Sequence, residues 1–267
     1  MPFFAHINEE VLGFLRERGK YPLHITGGEN DYSGTETISL NKLDSVLLYE
    51  PEEMIISVQA GIKLSKLQEI LGAKNQWIPT LVAEESLEET LGAAVAMDHF
   101  HPRSKNMGML RTTILGGTFC TTTGEIFKSG SRVVKSVAGY DIHRAFCGSR
   151  GMFGIILDLT LKIQPKPEMS CQFLTPLDAR GKISRFYPAC LEEFNGKLLI
   201  EFAGYKEDIE RDIEQVQRDL QVEKLSDEKW FEIIKMLQQK REISLIPEVE
   251  KLLGDVRKVF DPEGVLV

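Results

Sequence analysis

Five glycines, Gly130, Gly139, Gly148, Gly151 and Gly154, fall within the stretch GSRVVKSVAGYDIHRAFCGSRGMFGII at 130–156, which is otherwise able to form strand and helix. Glycine lets the backbone take positive φ or approach another group closely, so a stretch this rich makes a poor plain core. Lys135, Tyr140, Asp141 and Arg144 stand among these glycines, and the combination reads as the wall of a bound cofactor. The chain carries a net charge of −8, yet residues 100–170 hold ten Lys and Arg against four Asp and Glu, which leaves −14 for the rest. A basic, glycine-rich middle inside an acidic protein points to a small anionic ligand and away from a polyanionic partner such as nucleic acid.

At 267 residues, 42% hydrophobic and 27% charged, the composition is that of a globular protein with one large or two modest domains. The start, MPFFAHINEE, lacks a basic segment followed by a long apolar run, so a secretory signal is not expected. The apolar stretches 91–97 and 152–157 are too short to span a bilayer. Cys120, Cys147, Cys171 and Cys190 are scattered with no CxxC pair, which suits a reduced, cytoplasmic chain.

Strand and helix signals alternate over the first two thirds. Helices are expected at 8–18, 63–71 and 87–97, and strands at 24–26, 45–50 and 54–60, with Pro51-Glu52-Glu53 as a turn. Residues 111–128 read as a hairpin turning near Thr123-Gly124, and 152–164 as one long strand. Pro165-Lys166-Pro167 breaks the pattern and marks a domain boundary. Beyond it, strands at 171–176 and 197–203 are separated by polar, turn-rich sequence, and helical patterns follow at 206–221, 226–240 and 247–260. The fold class is α+β.

Directly after the strand at 24–26 comes Gly27-Gly28-Glu29-Asn30-Asp31-Tyr32-Ser33-Gly34. Such a loop can turn backbone N–H groups inward to hold a phosphate, although a plain glycine-rich turn would look the same. It is neither the P-loop of nucleotide hydrolases nor the Rossmann dinucleotide fingerprint. Glu89-Thr90-Leu91-Gly92-Ala93-Ala94 opens a helix with a small-residue face. His99 and His101 form an HxH pair without a visible third ligand, so no metal is expected. No GxSxG elbow supports a hydrolase.

Val133-Val134-Lys135-Ser136-Val137-Ala138-Gly139-Tyr140-Asp141, followed by Gly148-Ser149-Arg150-Gly151-Met152-Phe153-Gly154-Ile155-Ile156, resembles the VVKNVAGYD…GSLGTLGVI signature of FAD-binding oxidases of the vanillyl-alcohol oxidase / p-cresol methylhydroxylase type. Within that family it is most similar to glycolate oxidase FAD-binding E subunits. Further matches run in order: Leu40 to Leu43, Tyr49-Glu50-Pro51, Val58 to Gly61, Gln76-Trp77-Ile78-Pro79, Thr90-Leu91-Gly92 and Phe260-Asp261-Pro262-Glu263-Gly264. The resemblance implies an FAD-binding domain over 1–168, in subdomains of about 1–60 and 61–168, and a truncated cap or substrate domain over 169–267. It lays the diphosphate of a non-covalent FAD on the loop of Gly27, Gly28, Glu29, Asn30 and Asp31. Thr90, Leu91 and Gly92 would form the phosphate and ribityl wall. Gly139, Tyr140 and Asp141 would run along the cofactor, and Gly154 and Ile155 would meet the adenine. Pro79, Gly108, Lys135 and Val137 complete the candidate set. The implied activity is oxidation of a 2-hydroxy acid such as glycolate or lactate, alongside a larger flavoprotein subunit and an iron–sulfur subunit. The implied location is cytoplasmic, or the inner face of the membrane through that complex.

The sequence departs from this family at three places. Glu29 stands where relatives have a glycine, residues 97–108 replace a glycine-rich segment, and about 100 C-terminal residues stand for a larger cap. A second reading therefore stays open, that of a flavin-free structural subunit that docks a catalytic flavoprotein. No catalytic residue is assigned.

Overall fold

A computed structural model describes residues 2–18, 21–28, 34–81, 88–130, 141–240 and 247–266. It opens with β1 (Phe3–Phe4), helix α1 (Asn8–Glu17), β2 (Leu23–Thr26) and β3 (Glu36–Ser39), whose strands form a parallel sheet in the order β1-β3-β2. Val11 and Leu15 of α1 lie one turn apart and bury with Leu23 and Ile38 in one core. No strand was expected at 36–39, because Glu36-Thr37-Ile38-Ser39 has a single strongly apolar residue. Pairing on both sides buries it nonetheless. Parallel neighbours cannot be joined by a tight hairpin, so the chain leaves the sheet at the end of β2, where Gly27 stands.

Next come β4 (Val46–Glu50), β5 (Ile55–Gln59), α2 (Leu64–Gly72), β6 (Gln76–Trp77), α3 (Leu91–Met97), α4 (Ser104–Met107), α5 (Leu110–Thr113), β7 (Ile114–Cys120), β8 (Ile126–Gly130), β9 (Ile155–Lys162) and β10 (Gln164–Pro165). Five of these strands make an antiparallel sheet, β4-β5-β9-β7-β8, and β10 pairs with β6. The turn at 51–53 and the hairpin turn at 123–124 stand where expected. Two other elements are shorter than the sequence suggested. Helix α3 starts at Leu91 rather than at 87, because Leu64 N–H donates to the Glu89 carbonyl and Leu91 N–H to the Ile62 carbonyl, which holds 89–90 extended. Strand β9 starts at Ile155 rather than at 152, because Gly151 and Gly154 hold φ of 79° and 114° and turn the chain first.

The rest builds on an antiparallel sheet β12-β13-β11-β14, from β11 (Met169–Pro176), β12 (Cys190–Phe194), β13 (Lys197–Gly204) and β14 (Glu223–Lys224). Its helices are α6 (Arg180–Ile183), α7 (Lys206–Asp219), α8 (Asp227–Lys240) and α9 (Pro247–Phe260). Strand periodicity sorts the two faces. Phe173, Ile200 and Phe202 pack with Ile209 and Val216 of α7, while Leu174 and Leu199 pack with Trp230, Ile233 and Ile234 of α8. Strand β12 lay hidden in what reads as polar turn sequence, since Glu192 and Glu193 interrupt its apolar residues.

The chain then returns to its beginning. Phe260 joins Phe127, Phe146 and Phe153, with ring centroids 5.6–5.9 Å away, and Leu266 bridges to Leu23 in parallel. One buried ion pair ties the third sheet to the first half. Arg103 donates from Nε and Nη2 to the Glu201 carboxylate at 2.5 and 2.6 Å, with its guanidinium carbon 4.9 Å from the Trp77 ring and 5.8 Å from that of Trp230. Among the described residues no helix is long and apolar enough to cross a membrane.

Candidate cofactor site

Where β2 ends, β9 begins and α3 passes between them, a cavity of about 240 Å³ opens. Its walls come from four stretches far apart in sequence: His24 to Gly27, Thr90 to Met97, Ser149 to Ile156, and Leu266. Leu40 and Ala60 close the back. This volume lies below the usual 300–1,000 Å³ of a complete ligand pocket, so it has room for only part of an extended ligand.

Close approach of backbone explains the glycines. A Cβ on Gly27 would stand 2.2 Å from Thr90 Oγ1, and one on Gly154 would stand 2.4 Å from the Cys120 carbonyl. Thr90 caps α3 by accepting from Ala93 N–H at 3.4 Å. Gly28 N–H donates to Thr26 Oγ1 at 2.9 Å, and Ser39 Oγ donates to the Gly28 carbonyl at 2.6 Å, which pins the start of the loop. On the far wall, Gly148 N–H donates to Val95 O and Arg150 N–H to Ala96 O. These bonds satisfy carbonyls at the end of α3 that have no partner within the helix.

Of the candidate residues, Gly27, Thr90, Gly92 and Gly154 line the cavity. Gly28 adjoins it, while Leu91 and Ile155 bury their side chains in the two cores behind it. Pro79 stands elsewhere, with its carbonyl accepting from Arg103. Gly108 ends α4 at φ 98°, and Asp141 is exposed and paired with Arg144 at 3.2 Å; neither lines this cavity. Glu29, Asn30, Asp31, Lys135, Val137, Gly139 and Tyr140 lie outside the described residues. Ser149, Arg150 and Leu266 line the cavity and were not singled out from sequence. The first two were legible, since they fall inside the glycine-rich signature at 148–154.

Three of the buried thiols, Cys120, Cys147 and Cys190, are held protonated. Burial pushes Cys120 up to about 12 and raises Cys147 and Cys190 well above the usual thiol range, with the Asp98 carboxylate adding to the effect at Cys147. His99 is raised by its interaction with Glu89, 3.7 Å away, whereas burial lowers His143. His101 is buried and its Nδ1 accepts from Arg103 N–H. Among the described residues no group of three or more His, Cys, Asp or Glu could hold a metal ion.

The cavity suits a dinucleotide such as FAD on its own terms. Its walls pack closely where Gly27 meets Thr90 and Gly92 meets Ala60, and Ser149 Oγ is buried in the lining without a hydrogen-bond partner among the described residues. A buried hydroxyl without a partner is costly unless a ligand supplies one.

Residues 9–130 match the model of the FAD binding domain family. The chain is 30% identical over 156 residues to the Escherichia coli (strain K12) glycolate oxidase subunit GlcE, covering 57% of this chain and 45% of that one. It is also 30% identical over 154 residues to a D-lactate dehydrogenase of Anaerostipes hadrus, covering 58% of this chain and 32% of that one. The chain thus spans less than half of the length of these curated relatives. A solved alkyldihydroxyacetonephosphate synthase structure superposes with a TM-score of 0.68 over 98% of this chain and 74% of that one, at 15% identity, which is a likeness of fold. The family match and the relatives together make the chain similar to FAD-binding oxidases of the p-cresol methylhydroxylase type and support FAD as its cofactor.

Proposed function

We propose that this chain is an FAD-dependent oxidoreductase subunit that takes part in oxidising a 2-hydroxy acid of the glycolate or lactate class within a hetero-oligomer. The observation that carries the reading is the cavity itself, built where four separate stretches converge on glycine backbone and a serine hydroxyl that has no partner among the described residues. The substrate class and the assembly with other subunits rest on what the relatives are named for.

When bound, FAD would supply the two-electron redox chemistry of the oxidation. The protein's share is to place the cofactor. Gly27 and Gly92 let the walls pack closely against Thr90 and Ala60, Ser149 would offer a buried hydroxyl, and Ile156 and Leu266 would present apolar surface to the cofactor. The raised pKa of Cys120 and of Cys147 supports non-covalent attachment, because a thiolate is the form of cysteine that would bond to a flavin. We further take 1–168 as the cofactor domain and 169–267 as a small cap domain. The separate sheet formed after residue 168 supports that division, although residues 256–266 pack back on the first unit.

The test is the visible spectrum of the purified chain, repeated with added FAD and then with glycolate or D-lactate under anaerobic conditions. The expected result is a flavin spectrum that heat releases into the supernatant and that one of these acids bleaches. A colourless protein that ignores added FAD would overturn the reading in favour of a structural subunit. A flavoprotein that no 2-hydroxy acid bleaches, alone or with partner subunits, would overturn the substrate class.

A further inference from the structure

We propose that Arg150 supplies the positive charge that balances the diphosphate of the bound dinucleotide. The inference rests on FAD occupying the cavity and deepens that reading by naming its electrostatic partner. The described cavity wall is neutral apart from Arg150 and the imidazole of His24. A diphosphate brings two negative charges to a wall that otherwise offers backbone N–H groups and hydroxyls. Two of those hydroxyls already accept bonds within the protein, Thr26 from Gly28 N–H and Thr90 from Ala93 N–H.

Arg150 is free to serve. Eight of the eleven described arginines have a carboxylate within 4.0 Å, but Arg150 has none among the described residues. The other two, Arg16 and Arg180, lie away from the cavity. The residue is exposed, while its backbone is fixed by the bond from its N–H to Ala96 O at 2.8 Å. Its φ of 52° is left-handed, between Gly148 and Gly151 at 79° each, a conformation that suits glycine or asparagine better than arginine. An arginine at such a position gains nothing for the turn. Its guanidinium can donate to two phosphate oxygens at once, which a lysine cannot reproduce in geometry.

The experiment titrates FAD into the flavin-stripped full chain and follows quenching of flavin fluorescence, for wild type, R150K and R150N, across a series of salt concentrations. Asparagine tolerates the left-handed backbone, so R150N removes the charge and spares the turn. The expected result is at least about a tenfold loss of affinity in R150N at low salt, an intermediate loss in R150K, and a gap that narrows as salt rises. Equal affinity of wild type and R150N would overturn the assignment and leave the cofactor reading standing. A gap that salt does not narrow would mark a packing role and also overturn it. Wild type that binds no FAD at all would overturn the cofactor reading, and this assignment with it.

Discussion

Gly27 and Thr90 come from different motifs and are separated by 63 positions, yet they meet at the wall of the cavity. A methyl group on Gly27 would fall 2.2 Å from Thr90 Oγ1. We therefore expect Gly27→Ala to destabilise the protein by about 1–3 kcal/mol and to weaken FAD binding, because the strand end and the helix start must separate. The check is a double-mutant cycle by urea unfolding. Thr90→Ala alone loses a helix cap, for about 1 kcal/mol. Combined with Gly27→Ala it should cost less than the two losses added together, since it also removes the two closest contacts of the new methyl group. Strict additivity would show that the two residues do not press on each other. The sequence pointed to both residues as cofactor neighbours, but their mutual contact is a product of tertiary structure alone.

At the scale of elements, α9 and the six residues after it act as a clasp. Asp261 is buried and accepts from Val265 N–H at 2.9 Å, Leu266 N–H at 3.1 Å and Thr122 Oγ1 at 3.2 Å, while Arg257 pairs with it at 3.1 Å. Those bonds turn the chain so that Leu266 can pair with Leu23 and line the cavity. Asp261→Ala leaves several buried donors without an acceptor, and we expect it to cost about 2–5 kcal/mol. Because Leu266 moves with the clasp, FAD affinity should fall together with thermal stability. A variant that melts early yet binds FAD as wild type would detach the clasp from the site. The motif Phe260-Asp261-Pro262-Glu263-Gly264 was visible in the sequence, whereas the return of the chain to β2 just after it was not. No local signal tells a chain end which strand, more than 230 residues earlier, it will lie beside.

For the molecule as a whole, Arg103 and Glu201 hold the two halves together through a pair buried between Trp77 and Trp230. Ser170 and Gln172 also donate to Glu201, at 2.7 and 3.0 Å, so the carboxylate is fully engaged. Removing one partner strands a buried charge. We expect Arg103→Met or Glu201→Leu to cost about 3–5 kcal/mol each, while the double replacement should be far milder. Urea melts of the three variants decide it. Double-mutant instability equal to the sum of the singles would mean that the pair matters for more than mutual compensation. Trp77 and Trp230 could be read from sequence as core or interface anchors. Arg103 gave no such sign, since it sits in HPRSKNMG, a stretch that reads as a polar loop.

What the sequence determined alone is local and periodic. Turns at Pro51 and Gly124, the amphipathic helices and the glycine-rich signature depend on neighbouring residues, and the ordered motifs carried the resemblance to FAD-binding oxidases. Strands β3 and β12 are too short and polar to announce themselves, and they exist because strands on either side or against one face bury them. The same holds for the cavity. Backbone turning at Gly154 is a property of one residue, but the meeting of Gly27, Thr90, Ser149, Arg150 and Leu266 requires the whole fold to close. Close approach between distant segments is stabilised by the burial and hydrogen bonding it creates, and those terms do not exist until the chain has come together.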